Sequence, residues 1–322
     1  MEWHLIFILI AGVLINVSES SSITERNKFI LYYGSDSSEV FSIADGTKLL
    51  NSLHFDNLKK TVIYVHGYIE NQTSVSVKTI VDAYRQRDDY NIITLDWHDD
   101  ASGDYLLNAV INVNRLGKAL GAIILEIINA GLEVNKLHLV GHSLGGQMVG
   151  RIGGEVRSKS EGKIVLKRIS ALDPAFPGFY GLFLKHITHD DAEFVDIIHT
   201  DAWRYGAPED SGTVDFWPNG GKSLQAGCPR RGLKLLTDND LCSHWRSWRF
   251  WAESVARKGT QQFNAVRAKH WSAFKEGDVG REEGVVMGND CPTNITGTYF
   301  LQTNSESPFA RGEAGTKYTE II

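Results

Sequence analysis

The sequence predicts an α/β fold with a mainly parallel central sheet flanked by helices on both faces. Three observations carry that expectation. From residue 60 onward, short apolar runs alternate with stretches of helical periodicity, and strands separated by helices imply βαβ units. One strand-to-helix junction is glycine-rich and carries G-x-S-x-G, at Gly141-His142-Ser143-Leu144-Gly145. The 322 residues, 42% of them hydrophobic, hold ample material for a core.

The elements follow in chain order. "LIFILIAGVLI", residues 5–15, is a run of eleven apolar or small residues, the length of a signal-peptide core and too short to cross a bilayer. The residues before it lack Lys and Arg, but Ser18-Glu19-Ser20 offers a small-x-small site. Residues 1–20 are therefore expected to be a signal peptide, and the mature chain to be secreted and extracellular. "KFILYYG" and "EVFSIADG" suggest short antiparallel strands ahead of the main core. "TVIYV" (61–65), "NIITLDW" (91–97), "KLHLV" (136–140), "KIVLKRISAL" (163–172) and "EFVDIIHT" (193–200) have the apolar content of buried strands. Helices are expected over 76–87, about 105–130, and 144 to about 156. No repeat, low-complexity segment or Pro/Gly/Ser-rich linker interrupts residues 21–322, which are expected to form one domain.

Composition excludes some functions. A net charge of −6 gives none of the basic footprint that nucleic-acid binding favours. No later stretch approaches the roughly twenty apolar residues of a transmembrane helix. Three cysteines, Cys228, Cys242 and Cys291, allow three single pairings, and export makes a disulfide plausible. Asn71-Gln72-Thr73 and Asn294-Ile295-Thr296 are acceptor triplets for glycosylation in that compartment.

The pentapeptide makes Ser143 a candidate nucleophile. A strand turning abruptly into a helix holds the serine strained and exposed at the sheet's edge, and glycines on either side let the two elements approach. A serine hydroxyl then needs a histidine to take its proton and a carboxylate to orient that histidine. In such sheets the order is Ser, Asp or Glu, His. Asp173, in "ISALDPAFPG", sits at the tip of the next expected strand. His186, His189, His199, His244 and His270 all follow, and spacing does not separate His199 from His244.

"VGHSLGG", "ALDPAFPGF", "VDIIHT", "FWPNGG", "GCP…LCSHWRSW" and "FLQTN" occur in the same order in the pancreatic-type lipase family. The sequence resembles that family over residues 28–312 and is most similar to its insect members. The family includes triacylglycerol lipases, phospholipases A1 and insect yolk proteins. The resemblance implies an α/β-hydrolase fold, with His244 as the catalytic base and His199 structural or site-lining. It implies an oxyanion hole from the backbone N–H groups of Tyr68, in "HGY", and Leu144. It also implies a Cys228–Cys242 disulfide closing the base of a lid that contains Arg230, Arg231, Leu233, Leu235 and Leu236. Cys291 is then an odd, buried thiol.

Two departures follow from the same resemblance. The chain ends soon after "FARG", so a C-terminal β-sandwich is not expected. In "GFYGLFLKHITHDDAEF", Asp191 matches one ligand of the family's calcium site, but His186 and Thr188 occupy other ligand positions, so no metal is expected, and no cofactor. The lid and the loop "DAWRYGAPEDSGTVDF" look short, a feature that goes with phospholipases A1. The expectation is a carboxylic-ester hydrolase working on lipid at a membrane or micelle surface, with phospholipase A1 activity favoured. A triacylglycerol lipase is the alternative, and a non-catalytic lipid-binding or storage protein the third reading. The lid leucines would touch lipid; Arg230, Arg231 and Lys234 could meet phosphate, although charges in such a loop more often just solvate it.

Overall fold

The computed structural model describes residues 23–181, 184–256, 261–280 and 284–320; the expected signal peptide lies outside them. A hairpin of β1 (Lys28–Tyr33) and β2 (Ser37–Ser42) precedes β3 (Lys60–Val65), α1 (Val75–Arg85), β4 (Tyr90–Asp96) and α2 (Val110–Asn129). Then come β5 (Leu137–His142), α3 (Leu144–Lys159), β6 (Arg168–Leu172), β7 (Phe194–Ile198), β8 (Val214–Pro218) and α4 (Asp238–Ala256). The chain closes with β9 (Asn264–Arg267), α5 (Trp271–Glu276), β10 (Val285–Val286) and β11 (Gly297–Leu301).

Among the described residues these strands form one sheet, ordered β10-β9-β11-β8-β7-β6-β5-β3-β4-β1-β2. The run from β11 to β4 is parallel, and the two margins are antiparallel. Alternation along β3 explains the layers. Ile63 and Val65 pack with Val113, Leu116, Met148 and Val149 of α2 and α3. Val62 and Tyr64 pack with Val77, Ile80, Trp248 and Trp251 of α1 and α4. A strand covered on both faces has no solvent side to mark with polar residues, which is why "TVIYV" is continuously apolar. The α/β-hydrolase fold is thus present, and no β-sandwich follows the sheet among the described residues.

Register sets the site. Val65 pairs with Gly141, His142 with Leu172, and Leu172 with Ile198, so β3, β5, β6 and β7 end level. The segments that leave them, beginning at His66, Ser143, Asp173 and His199, converge at the carboxyl edge of the sheet, where open α/β sheets bind ligands.

The structure departs from the sequence expectations in a few places. The helix expected from 105 opens with a π-helical turn, Tyr105–Ala109, capped by Asp104, whose carboxylate accepts the Leu107 N–H at 2.8 Å. Residues 163–167 precede β6 and are not part of it. The segment holding β8 to β11 and α4 has no counterpart among the expected elements. Helix α4 buries Ser243, His244, Arg246, Ser247 and Glu253 beside its apolar residues, which blurs its amphipathic period.

Candidate active site

Ser143 is the hinge of the β5–α3 junction, with φ 56° and ψ −120°. Its strain is held by bonds on both sides: its N–H donates to Leu172 O at 3.1 Å, and its carbonyl accepts from Gly146 and Ala175, each at 3.0 Å. The glycines are sterically required. A Cβ on Gly141 would lie 2.1 Å from Gly145 O, and one on Gly145 would lie 2.1 Å from Val65 O. The elbow thus presses against β3, and strain persists because the surroundings over-determine it.

Asp173 follows β6 in a left-handed conformation, φ 47°, fully buried. One carboxylate oxygen, Oδ1, accepts the N–H groups of Thr200 at 2.7 Å and Asp201 at 3.0 Å. The other, Oδ2, lies 2.6 Å from His244 Nδ1. His244 is buried on α4, two residues beyond Cys242, with its ring 4.6 Å from that of His142. A buried carboxylate with one oxygen filled by backbone donors leaves the other free to hold a single imidazole tautomer.

His199, the positional rival of His244, is placed elsewhere. Its Nε2 lies 2.8 Å from Asp215 Oδ1, its Nδ1 faces Ala207 O at 3.2 Å, and its ring stacks on Trp217 at 3.9 Å. Asp215 charge holds its pKa above the ordinary histidine value despite full burial, which pulls the other way. Ligand atoms of His199, Asp210 and Asp215 come within 4.8 Å of one another, a grouping that could hold a cation. All three are already engaged by the protein, however: Asp210 accepts from Trp217 Nε1 and the Thr298 hydroxyl, and Asp215 from the Gly212 N–H. At the family's calcium loop, Asp191 instead accepts the Thr188 N–H in a capping box.

Tyr68 lies on the loop after β3, its hydroxyl donating to Gly103 O at 2.5 Å and its ring edge-on to Tyr105 at 5.0 Å. Leu144 is the first residue of α3, where N–H groups have no partner within the helix. A cavity of about 680 Å³ opens over this region, lined by Ser143 and His244 together with Tyr68, Tyr105, Leu235 and Leu236. Sequence reasoning missed two further lining groups, Glu70 and His142. Burial disfavours ionised Glu70, but the facing His142 and His66 and the Ser76 hydroxyl outweigh it and bring the carboxyl to about 2. Nothing in the local sequence signals this contact, because Glu70 and His142 belong to different strand ends.

Cys228 and Cys242 are disulfide-bonded, with Cα atoms 5.7 Å apart, and Cys291 is a buried free thiol. Ile69, Val75, Leu235 and Leu236 line the cavity yet are 56%, 70%, 64% and 45% exposed; Leu233 is fully exposed, as an apolar outer surface requires. The expectation that Arg231 meets phosphate is corrected. Its side chain is only 12% exposed and turned inward onto Asp201 and Asp240, both buried carboxylates, because an unpaired carboxylate at that depth would be costly. Arg230 and Lys234 remain at the surface. Arg249 lines the cavity, over the Trp248 ring at 5.1 Å. Asn71 and Asn294 are both exposed.

The chain is similar in sequence to pancreatic lipases. Pancreatic triacylglycerol lipase of Mus musculus is 28% identical over 312 residues, covering 89% of this chain and 65% of its own length. Pancreatic lipase-related protein 3 of Homo sapiens is 34% identical over 258 residues, covering 70% of this chain and 52% of its own. The chain thus spans less than two thirds of these relatives. A phospholipase/carboxylesterase from Dyadobacter fermentans overlaps 54% of this chain and 72% of its own at 12% identity and a TM-score of 0.34. With residues 12–309 matching the lipase family, the chain belongs to that family.

Proposed function

We propose that the protein is a secreted carboxylic-ester hydrolase that cleaves acyl esters of lipids through Ser143, His244 and Asp173. The observation that carries this reading is the 2.6 Å contact between His244 and buried Asp173, in a cavity that His244 shares with the strained Ser143. His244 Nε2 takes the Ser143 hydroxyl proton as Oγ attacks the acyl carbonyl. Nδ1–H donates to Asp173, which stabilises the imidazolium that forms. The alkoxide is held by the N–H groups of Tyr68 and Leu144; losing one such donor typically costs roughly 3 kcal/mol of transition-state stabilisation. His244 then returns its proton to the leaving alcohol. Water, deprotonated by the same nitrogen, releases the fatty acid and restores Ser143.

The exposed apolar side chains around the cavity suit a lipid surface at a membrane or micelle. Within lipid substrates, phospholipase A1 activity is the favoured reading over triacylglycerol hydrolysis. Arg249 supports it: this guanidinium lines the cavity over the Trp248 ring, where a phosphodiester can pair with it. The test compares phosphatidylcholine labelled separately at each acyl position with a long-chain triacylglycerol, using Ser143→Ala as blank. Release mainly from the sn-1 position is expected. Preference for triacylglycerol would overturn the phospholipid assignment, and hydrolysis by Ser143→Ala would overturn the mechanism.

A further inference from the structure

The loop after β3 and the residue before Ser143 meet at one carboxylate. Glu70 Oε2 accepts the Gly67 N–H at 2.7 Å, and Oε1 accepts the Ser76 hydroxyl at the start of α1. The same Oε2 lies 3.5 Å from Nδ1 of His142, a buried ring with no hydrogen-bond partner at either nitrogen among the described residues. Space around it is tight: a Cβ on Gly67 would lie 3.0 Å from Ser143 Cβ, 3.1 Å from Glu70 Oε2 and 3.3 Å from His142 Nδ1. Loop and elbow are thus packed against each other through Glu70.

The loop does not rest in a relaxed conformation. Ile69 has φ 52°, a left-handed conformation that a β-branched residue adopts only when its surroundings force it. One anchor is the Ile69 N–H, which donates to Ala101 O at 2.8 Å; the other is Glu70. Tyr68 lies between the two anchors. We propose that Glu70 is a positioning residue: by bracing Gly67 against Ser76 and His142, it fixes the aim of the Tyr68 N–H at the developing oxyanion. This rests on the serine-hydrolase reading above. A brace that acts on the transition state lowers kcat when removed and leaves KM nearly unchanged.

The test uses the secreted protein, a soluble short-chain p-nitrophenyl ester and rates normalised per site titrated with a fluorophosphonate. Glu70→Ala is expected to lower kcat by about tenfold to a hundredfold, below the full loss of an oxyanion donor, with KM within roughly threefold. Glu70→Gln is expected to stay within roughly threefold in kcat, since its amide oxygen still accepts the Gly67 N–H and its NH₂ donates to Ser76. Should the alanine variant fail to fold, Glu70→Asp, one methylene too short to span both partners, is expected to lose about tenfold in kcat. Glu70→Ala or Glu70→Asp within twofold of the parent per site would overturn the proposal, as would Glu70→Gln being as slow as Glu70→Ala. Ser143→Ala separates the two readings. If it still hydrolyses the ester, the serine mechanism itself falls; if it is inactive while Glu70→Ala keeps full kcat, only the role of Glu70 falls.

Discussion

Replacing Asp173 by Asn tests the proposed relay at its most constrained point. The carboxylate has two non-equivalent oxygens: Oδ1 faces the N–H groups of Thr200 and Asp201, and Oδ2 faces His244 Nδ1 at 2.6 Å. An Asn side chain must keep its carbonyl on the two backbone donors, because an NH₂ there would set donors against donors in a fully buried place. Its NH₂ is then forced toward His244, where it donates to Nδ1 and leaves the proton on Nε2. A ring protonated at Nε2 cannot accept the Ser143 proton. Such a tautomer error is worth about 10⁴ in kcat, or ~5.5 kcal/mol of activation free energy. The variant stays folded, since every bond survives in neutral form; the loss of one charge-assisted pair costs roughly 2 kcal/mol. The assay is hydrolysis of a soluble short-chain ester, with near-ultraviolet circular dichroism as the check on packing. A folded Asp173→Asn retaining more than a tenth of the parent kcat would refute the claim that Asp173 sets the tautomer of His244.

Two further predictions follow from the lid and from Asp191. Replacing Leu233, Leu235 and Leu236 together by Ser should weaken binding to phosphatidylcholine vesicles at least tenfold, since each leucine is worth about 1.5 kcal/mol when fully buried and tenfold needs only ~1.4 kcal/mol; unaltered sedimentation with vesicles would sink the idea. Asp191 titrates at about 6, raised first by burial, against roughly 3.9 unfolded. The native state therefore holds the extra proton between these values, so its contribution is fully present below about pH 4 and is lost as pH rises through 6. Relative to Asp191→Asn, the parent should lose up to about 3 kcal/mol of stability over that window, read as diverging melting curves; a constant difference would show that the carboxyl is not shifted.

How much of this was legible in the sequence depended on whether a signal was local. Strand β3, α1, β4 and β5 carry their own periodicity, and Ser143 announces itself because strain, glycines and proposed nucleophile share five residues. Asp173 was legible because a strand tip is a place that a short pattern can mark. His244 was different: spacing left it level with His199, and only the resemblance pointed to it. The physical reason lies in the pairing, for each histidine finds its own buried carboxylate, Asp173 or Asp215, and no property of either histidine's neighbours encodes which acid folding will bring to it. Arg231 went astray for the same reason. A basic residue in an exposed-looking loop is ordinarily solvated, yet Asp201 and Asp240, distant in sequence or hidden on α4, draw it inward. Glu70 and His142 were passed over because each is unremarkable alone. The chemistry at this carboxyl edge therefore arises from register: Val65, Gly141, Leu172 and Ile198 end level, and that alignment brings together the loops that follow them, against which α4 sets His244.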